Sequence, residues 1–316
     1  MADGTILPGA GFTMSDPALR TMDLDTLLAT EFPPRELVLA PWLPEKGLAM
    51  VYGPRGIGKT HLSLGIAYAA ATGGRFLRWQ APRPRRVLVI DGEMPAIVLQ
   101  ERLAAIVAAA SLEPPAPDFL RLLPMDIQDG ANLDLSDDGC HPALEAAIAA
   151  AELLIVDNIS TLVGSGRENE AESWSTVQQW ALRQRRAGRC VVFIHHAGKG
   201  GQQRGTSRRE DVLDTVAALR RPSDYQPDEG ARFEVHYEKS RGFYGDDAKP
   251  FEAALIHGEG WKTRDLADAD MSRVMALTAE KMTVRDIANE LGMSKSAVQR
   301  MQAKGKAAGA ASTGHD

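Results

Sequence analysis

The spacing of apolar residues changes several times along the chain, and each change marks the edge of an element. Continuous apolar runs at 48–52, 86–90, 119–123, 153–156 and 191–194 read as strands buried on both faces. Amphipathic stretches at 61–71, 96–109, 142–151 and 170–186 separate most of them and read as helices. That alternation predicts an α/β domain around a central, mostly parallel sheet. Two later runs, 233–237 and 251–256, predict antiparallel strands at one edge.

The pattern breaks at both ends. Residues 1–45 predict an N-terminal arm with one short helical pattern and a Pro33-Pro34 break. Residues 46–257 form the α/β domain, 258–271 a polar linker, 272–304 a helical unit and 305–316 a disordered, Ala/Gly-rich tail. In the helical unit Thr283 caps a helix, Gly292 turns the chain and Ser294 caps a second helix that runs past Arg300. Val284, Ile287, Ala288 and Leu291 face Ala297, Val298 and Met301, a pairing that resembles a helix-turn-helix. Lys295, Gln299 and Arg300 are then the exposed candidates for duplex DNA; an oligomerisation or docking module is the alternative.

Composition narrows the class. With 44% hydrophobic and 25% charged residues in 316, the chain is globular rather than disordered. A net charge of −6 excludes an overall basic nucleic-acid coat, although 271–316 carries seven Lys/Arg against four Asp/Glu. The longest near-apolar stretch, 103–112, is about half a membrane span. Cys140 and Cys190 are the only cysteines, too few for a disulfide framework or a zinc site. The expectation is a cytoplasmic protein without a membrane partner.

The candidate chemistry begins at Gly53-Pro54-Arg55-Gly56-Ile57-Gly58-Lys59-Thr60, which fits G-x-x-x-x-G-K-[ST] between a strand and a helix. Glycines let successive backbone N–H groups converge on phosphate oxygens, helped by the helix N-terminus. Lys59 brings charge to the β- and γ-phosphates of ATP, Thr60 offers a hydroxyl to Mg²⁺, and His61 completes the nucleotide-binding set. Asp157 ends the run 153–156 and supplies the second metal ligand. Asn158 follows it, so the base that orients water must lie elsewhere. Glu93 after the run 86–90 is the candidate, with Asp91 its nearest rival. Asp134 to Glu145 matches a calcium-loop spacing, but no helix precedes it and Pro142 interrupts it.

Taken together, the P-loop, Glu93, Asp157 and the strand ending in His195-His196 resemble the RecA-like ATPases. Pro41-Trp42-Leu43-Pro44, Phe193-Ile194-His195-His196 and Arg204-Gly205-Thr206-Ser207 resemble more closely the hexameric RepA/DnaB-type replicative helicases, over roughly 38–256. No LSGGQ-type signature is present, and the second acid typical of AAA+ proteins is missing after Asp157. The resemblance implies that His196, or His195, senses the γ-phosphate. It also implies that Lys239 and Arg241, a Lys-x-Arg, complete the active site of a neighbouring subunit. Arg167 in one glycine-containing loop, and Lys199, Arg204, Arg208 and Arg209 in another, are candidates for single-stranded DNA in a central channel. The implied function is a Mg²⁺-ATP-dependent, ring-forming DNA helicase or translocase, a homo-oligomer and by resemblance a hexamer. The alternatives are an ATP-switched DNA-binding regulatory or initiation protein that uses the C-terminal unit, and a recombination-type filament ATPase.

Overall fold

In a computed structural model that describes residues 21–130, 132–164, 171–198 and 210–312, the apolar runs assemble into one nine-stranded sheet. The chain divides after Arg35. The first unit holds α1 (Leu24–Ala29), whose N-terminus is capped by the Asp23 carboxylate accepting from Thr26 N at 2.7 Å.

The second unit begins with the short pair β1 (Leu37–Leu39) and β2 (Leu43–Pro44). Then follow β3 (Leu48–Gly53), α2 (Lys59–Thr72), the ribbon β4 (Arg75–Phe76) and β5 (Trp79–Gln80), β6 (Val87–Asp91) and α3 (Ala96–Ala109). The chain continues through β7 (Leu120–Pro124), α4 (His141–Ile148), β8 (Leu153–Asp157), α5 (Ile159–Leu162), α6 (Ala171–Arg186) and β9 (Cys190–His196). It ends with β10 (Thr215–Arg220), β11 (Arg232–Ser240), β12 (Phe251–Ile256), β13 (Gly260–Asp265), α7 (Leu266–Ala279), α8 (Val284–Glu290) and α9 (Lys295–Ser312).

The sheet order is β13-β12-β11-β10-β3-β9-β8-β6-β7. The stretch from β10 to β7 is parallel, and β11, β12 and β13 are antiparallel additions. Because strand side chains alternate, each central strand feeds two cores. Ala49, Val51, Val89, Ile155 and Val192 pack beneath Leu62, Ile66 and Ala70 of α2. Leu48, Met50, Leu154, Val156 and Phe193 pack against Val177 and Trp180 of α6 and Leu144 of α4. Leu, Val and Ile on both faces therefore produce the unbroken apolar runs of the sequence.

Several boundaries differ from expectation. Residues 36–45 are not part of an arm: Val38, Leu39, Trp42 and Leu43 are buried, and the Trp42 ring lies 5.2 Å from that of Trp79. Two- and three-residue strands between prolines leave no readable period. Thr215–Arg220, unforeseen, is the parallel strand beside β3. The expected linker holds β13, which pairs with β12 from Ile256↔Gly260 to Phe251↔Asp265. It is an edge strand with one side open to solvent, so polar residues suffice. The expected tail continues α9 to Ser312, as its alanines favour.

The C-terminal helices share a small core of Val274, Ile287, Ala288 and Val298. Thr283 accepts from Asp286 N at 3.3 Å at the start of α8, Gly292 takes φ +62°, and Ser294 accepts from Ala297 N at 3.2 Å. Buried charge joins this unit to the sheet. Arg273 of α7 pairs with Glu252 of β12 and, at 2.9 Å, with Asp224, while Arg232 of β11 reaches the same two acids at 3.1 and 2.8 Å. Asp134 is occupied by the N–H groups of Ser136 and Gly164 at 2.8 and 2.9 Å, which makes the calcium-like spacing a structural loop. No helix among the described residues is long and apolar enough to cross a membrane.

Candidate nucleotide site

Parallel strands end together, so β3, β6, β8 and β9 deliver their last residues to one edge of the sheet. In register, Gly53 lies beside His196 and Asp91 beside Asp157. All six residues of β3 are buried. The chain leaves the sheet at Gly53, where a Cβ would stand 2.9 Å from Leu219 Cβ. Gly58 has φ +106°, and its missing side chain lets Ala231 approach to 3.0 Å of the Cβ position. As the N-cap of α2 it offers no side-chain cap, which leaves first-turn N–H groups open to an anion.

Lys59 is folded back over the turn, donating to Gly53 O at 3.1 Å and Pro54 O at 2.8 Å. Burial lowers its ammonium to about 8, against the opposing pull of Asp157 and Glu93. Beside it Asp157 is 3% exposed. Burial, then the charge of Asp91, pushes its carboxyl up to about 7, while a 2.7 Å bond from Ser63 Oγ and the Lys59 charge favour the ionised form. The Thr60 hydroxyl acts in the same direction.

The two candidate bases separate cleanly. Asp91 Oδ1 accepts from Glu93 N at 2.9 Å and Met94 N at 2.7 Å, so this acid builds the turn. Glu93 projects from that turn toward His196, its Oε2 3.5 Å from His196 Nε2, and accepts from Asn158 Nδ2. Burial and then the Lys59 charge lower the His196 pKa, although Glu93 opposes them, so the ring is neutral near pH 7. His195 is fully buried, which leaves His196 as the member of the pair that lines the cavity.

Gly56, Gly58, Lys59, Thr60, His61, Glu93, Asp157, Asn158 and His196 line one cavity of about 420 Å³. Of the sequence-derived nucleotide residues, Arg55 is exposed beside the cavity and Ile57 is buried in the core behind it. Pro54 lends its carbonyl to Lys59. Burial, then the charge of Arg102, lowers His61 to about 4.

Other expected residues lie elsewhere. Lys239 and Arg241 sit at the far end of the sheet, where Arg241 N donates to Asp214 O and Asp214 N to Leu48 O, beside the start of β3. Lys239 Nζ donates to Glu210 O and Arg241 lies 3.5 Å from Asp211 O. Lys295, Gln299 and Arg300 are exposed on α9. Arg167, Lys199, Arg204, Arg208 and Arg209 lie outside the described residues.

Three features escaped the sequence. Ser63 stands four residues after Lys59, a spacing that puts both on one helix face and could have been read. Asn158 was visible only as a missing acid. The segment carrying Tyr225, Pro227, Gly230 and Ala231 roofs the cavity, and no local pattern signals that contact.

The donor set suits Mg²⁺-ATP. An open helix N-terminus, one lysine, one hydroxyl and one buried acid match a cation that takes most of its ligands from phosphate and water. Among the described residues no cluster of three or more His, Cys, Asp or Glu forms a cage of its own.

Comparison with known proteins gives a family and a fold. A family model described as an AAA domain matches residues 15–202, more than half of the chain. Among solved structures, the chain is similar to a KaiC-like protein from the hyperthermophilic archaeon Pyrococcus horikoshii. The TM-score is 0.50 at 15% identity, covering 70% of this chain and 90% of that one. The likeness shows the fold, a RecA-like α/β sheet with flanking helices. The AAA match holds although Asn158 stands where AAA+ proteins typically carry a second acid. No curated protein matches the sequence.

Proposed function

Since the chain belongs to the AAA domain family and has the RecA-like ATPase fold, we propose that it is a Mg²⁺-ATP-dependent, ring-forming DNA helicase or translocase of the RepA-like type. The observation that carries the reading is the separation of two half-sites. Glu93, Asn158 and His196 gather at the P-loop end of the sheet, while Lys239 and Arg241 lie beside the start of β3. Six residues of strand span about 17 Å. A second copy, stacked with its far end against this P-loop, supplies both cations to the phosphoryl group. Repetition of such a head-to-tail contact gives a ring where the rotation between copies closes, by resemblance a hexamer.

Within each site Thr60 and Asp157 would hold the metal, which when bound would neutralise charge on the β- and γ-phosphates. The open N–H groups of the P-loop and Lys59 bind the phosphates. Glu93 takes the proton of the attacking water at a carboxylate oxygen. His196, neutral and beside Glu93, reports the γ-phosphate through Nε2. Arg167, Lys199, Arg204, Arg208 and Arg209 track single-stranded DNA by sequence-tolerant, salt-sensitive contacts.

Steady-state ATP hydrolysis with and without single-stranded DNA tests the reading. The expected result is strong stimulation by DNA, lost in Lys59→Ala and in Arg241→Ala. Turnover indifferent to DNA and to Arg241 would refute it.

One observation favours a second reading. The α8–α9 pair exposes Lys295, Gln299 and Arg300 while Arg273 ties its unit to the sheet beside Asp224. An ATP-switched DNA-binding regulatory protein would use that arrangement to present the pair to duplex DNA. Duplex binding that survives Lys59→Ala and vanishes on deletion of 271–316 would support it.

A further inference from the structure

Asn158 stands at a helix cap and does not cap. It is the N-cap residue of α5, where an asparagine ordinarily accepts a backbone N–H through Oδ1. No such bond forms. The side chain turns away instead, so that Nδ2 donates to Glu93 Oε2 and lies 3.4 Å from His196 Nε2. Its Oδ1 is buried without a hydrogen-bond partner, as is Nδ1 of His196. A buried amide oxygen left unpaired and a cap forgone are both unfavourable, so the orientation reflects what Nδ2 does.

The backbone of Glu93 is already held. Gly92 N donates to Asp157 O at 2.8 Å, and Asp91 receives the N–H groups of Glu93 and Met94. Gly92 also leaves no room for a side chain, since a Cβ would stand 2.6 Å from Thr161 Oγ1. What remains free is the direction of the Glu93 carboxylate, whose side chain is about half exposed at 49%. A neutral donor is suited to that task. A lysine would form a competing ion pair, and a second acid would repel the carboxylate.

We propose that Asn158 is a positioning residue, whose amide N–H aims the Glu93 carboxylate into the nucleotide cavity. The inference rests on the reading of Glu93 as the base, and it assigns to Asn158 an effect on turnover rather than on nucleotide binding. It also gives the residue after Asp157 a reason to be an amide in this chain.

Four proteins decide it: wild type, Asn158→Ala, the isosteric Asn158→Asp, and Glu93→Gln. ATP turnover, ADP binding in the presence of Mg²⁺ and thermal melting are measured on each. Asn158→Ala is expected to lower kcat about tenfold, the loss of one hydrogen bond to a charged group, with KM for ATP and ADP affinity within about twofold. Asn158→Asp keeps the shape but faces Glu93 with a second carboxylate, so kcat falls at least as far. Wild-type kcat in Asn158→Ala, with Glu93→Gln inactive, overturns the positioning role and leaves the base assignment standing. Full turnover in Glu93→Gln overturns the base assignment and this inference with it. A kcat loss in Asn158→Ala that comes with lost ADP binding or a lowered melting temperature, and that Asn158→Asp does not share, shows a merely structural residue and also overturns it.

Discussion

Ser63 Oγ donates a 2.7 Å hydrogen bond to Asp157 Oδ2, one helical turn along α2 from Lys59. The helix that presents the P-loop lysine and threonine thus also orients the acid on the neighbouring strand. Burial and the charge of Asp91 push the Asp157 carboxyl up, and the hydroxyl counteracts them by favouring the ionised carboxylate that a metal needs. Ser63→Ala should therefore raise the Mg²⁺ concentration for half-maximal ATP turnover by about tenfold, the usual effect of removing a group that orients a metal ligand. Turnover at saturating Mg²⁺ should stay near wild type. An unchanged Mg²⁺ dependence would contradict the assignment of Asp157 to the metal.

Lys59 and Arg241 occupy opposite ends of the same sheet, which makes a mixing experiment decisive. Lys59→Ala should be inactive because each P-loop is damaged, and Arg241→Ala because each site lacks its partner's cation. Mixed and allowed to reassemble, the two variants should regain turnover. An intact P-loop on the Arg241→Ala protomer then meets an intact Arg241 on the Lys59→Ala protomer. A mixture as inactive as its components would sink the proposed shared site.

The parts of this molecule that could be read from sequence are those that repeat or end a pattern. Four central parallel strands, β3, β6, β8 and β9, show as apolar runs because both faces are buried, and the residues just past those runs, Gly53, Glu93, Asp157 and His196, converge because parallel strands finish at one edge. Contacts between distant residues were silent. Nothing near Ala231 marks it as the neighbour of Gly58, and nothing near Asn158 indicates that its amide meets Glu93. The edge strand Gly260–Asp265 was hidden for a different reason: it needs only one packed face, which Trp261 helps to provide through its contact with Phe233 at 5.4 Å.

Arg273 is 5% exposed and is shared among Glu252, Asp224, Asp270 and Glu234. Removing it strands the buried Glu252, which Arg232 and Arg264 only partly compensate. Arg273→Ala should cost about 3 kcal/mol in denaturant unfolding, at the lower end for a broken buried pair because of that compensation. Limited proteolysis should then release the segment from α7 onward before the sheet is cut. A loss below about 1 kcal/mol, with the segment still protected, would mean that the apolar contacts of α7 suffice.

Asp224 gives the same junction a defined response to acid. Partial burial raises its carboxyl, but the bond from Arg232 and the charge of Arg273 outweigh it and hold the pKa below the ordinary 3.8. Glu229 and Glu252 share Arg232 on the other side, and Glu252 also pairs with Arg273. The folded protein therefore gives up this carboxylate later than the unfolded chain does as pH falls. The stabilising effect is complete above the unfolded value and is lost as pH drops through the lower folded one. Asp224→Asn should melt below wild type by about 2 °C at pH 7, a modest effect because the group is partly solvent-screened. That gap should stay constant above the ordinary carboxylate range and close as the pH falls through the lowered folded value, where wild type has lost the same interaction. A gap that widens toward acid pH would show that the Asp224 pKa is raised rather than lowered, and that the arginines do not hold it.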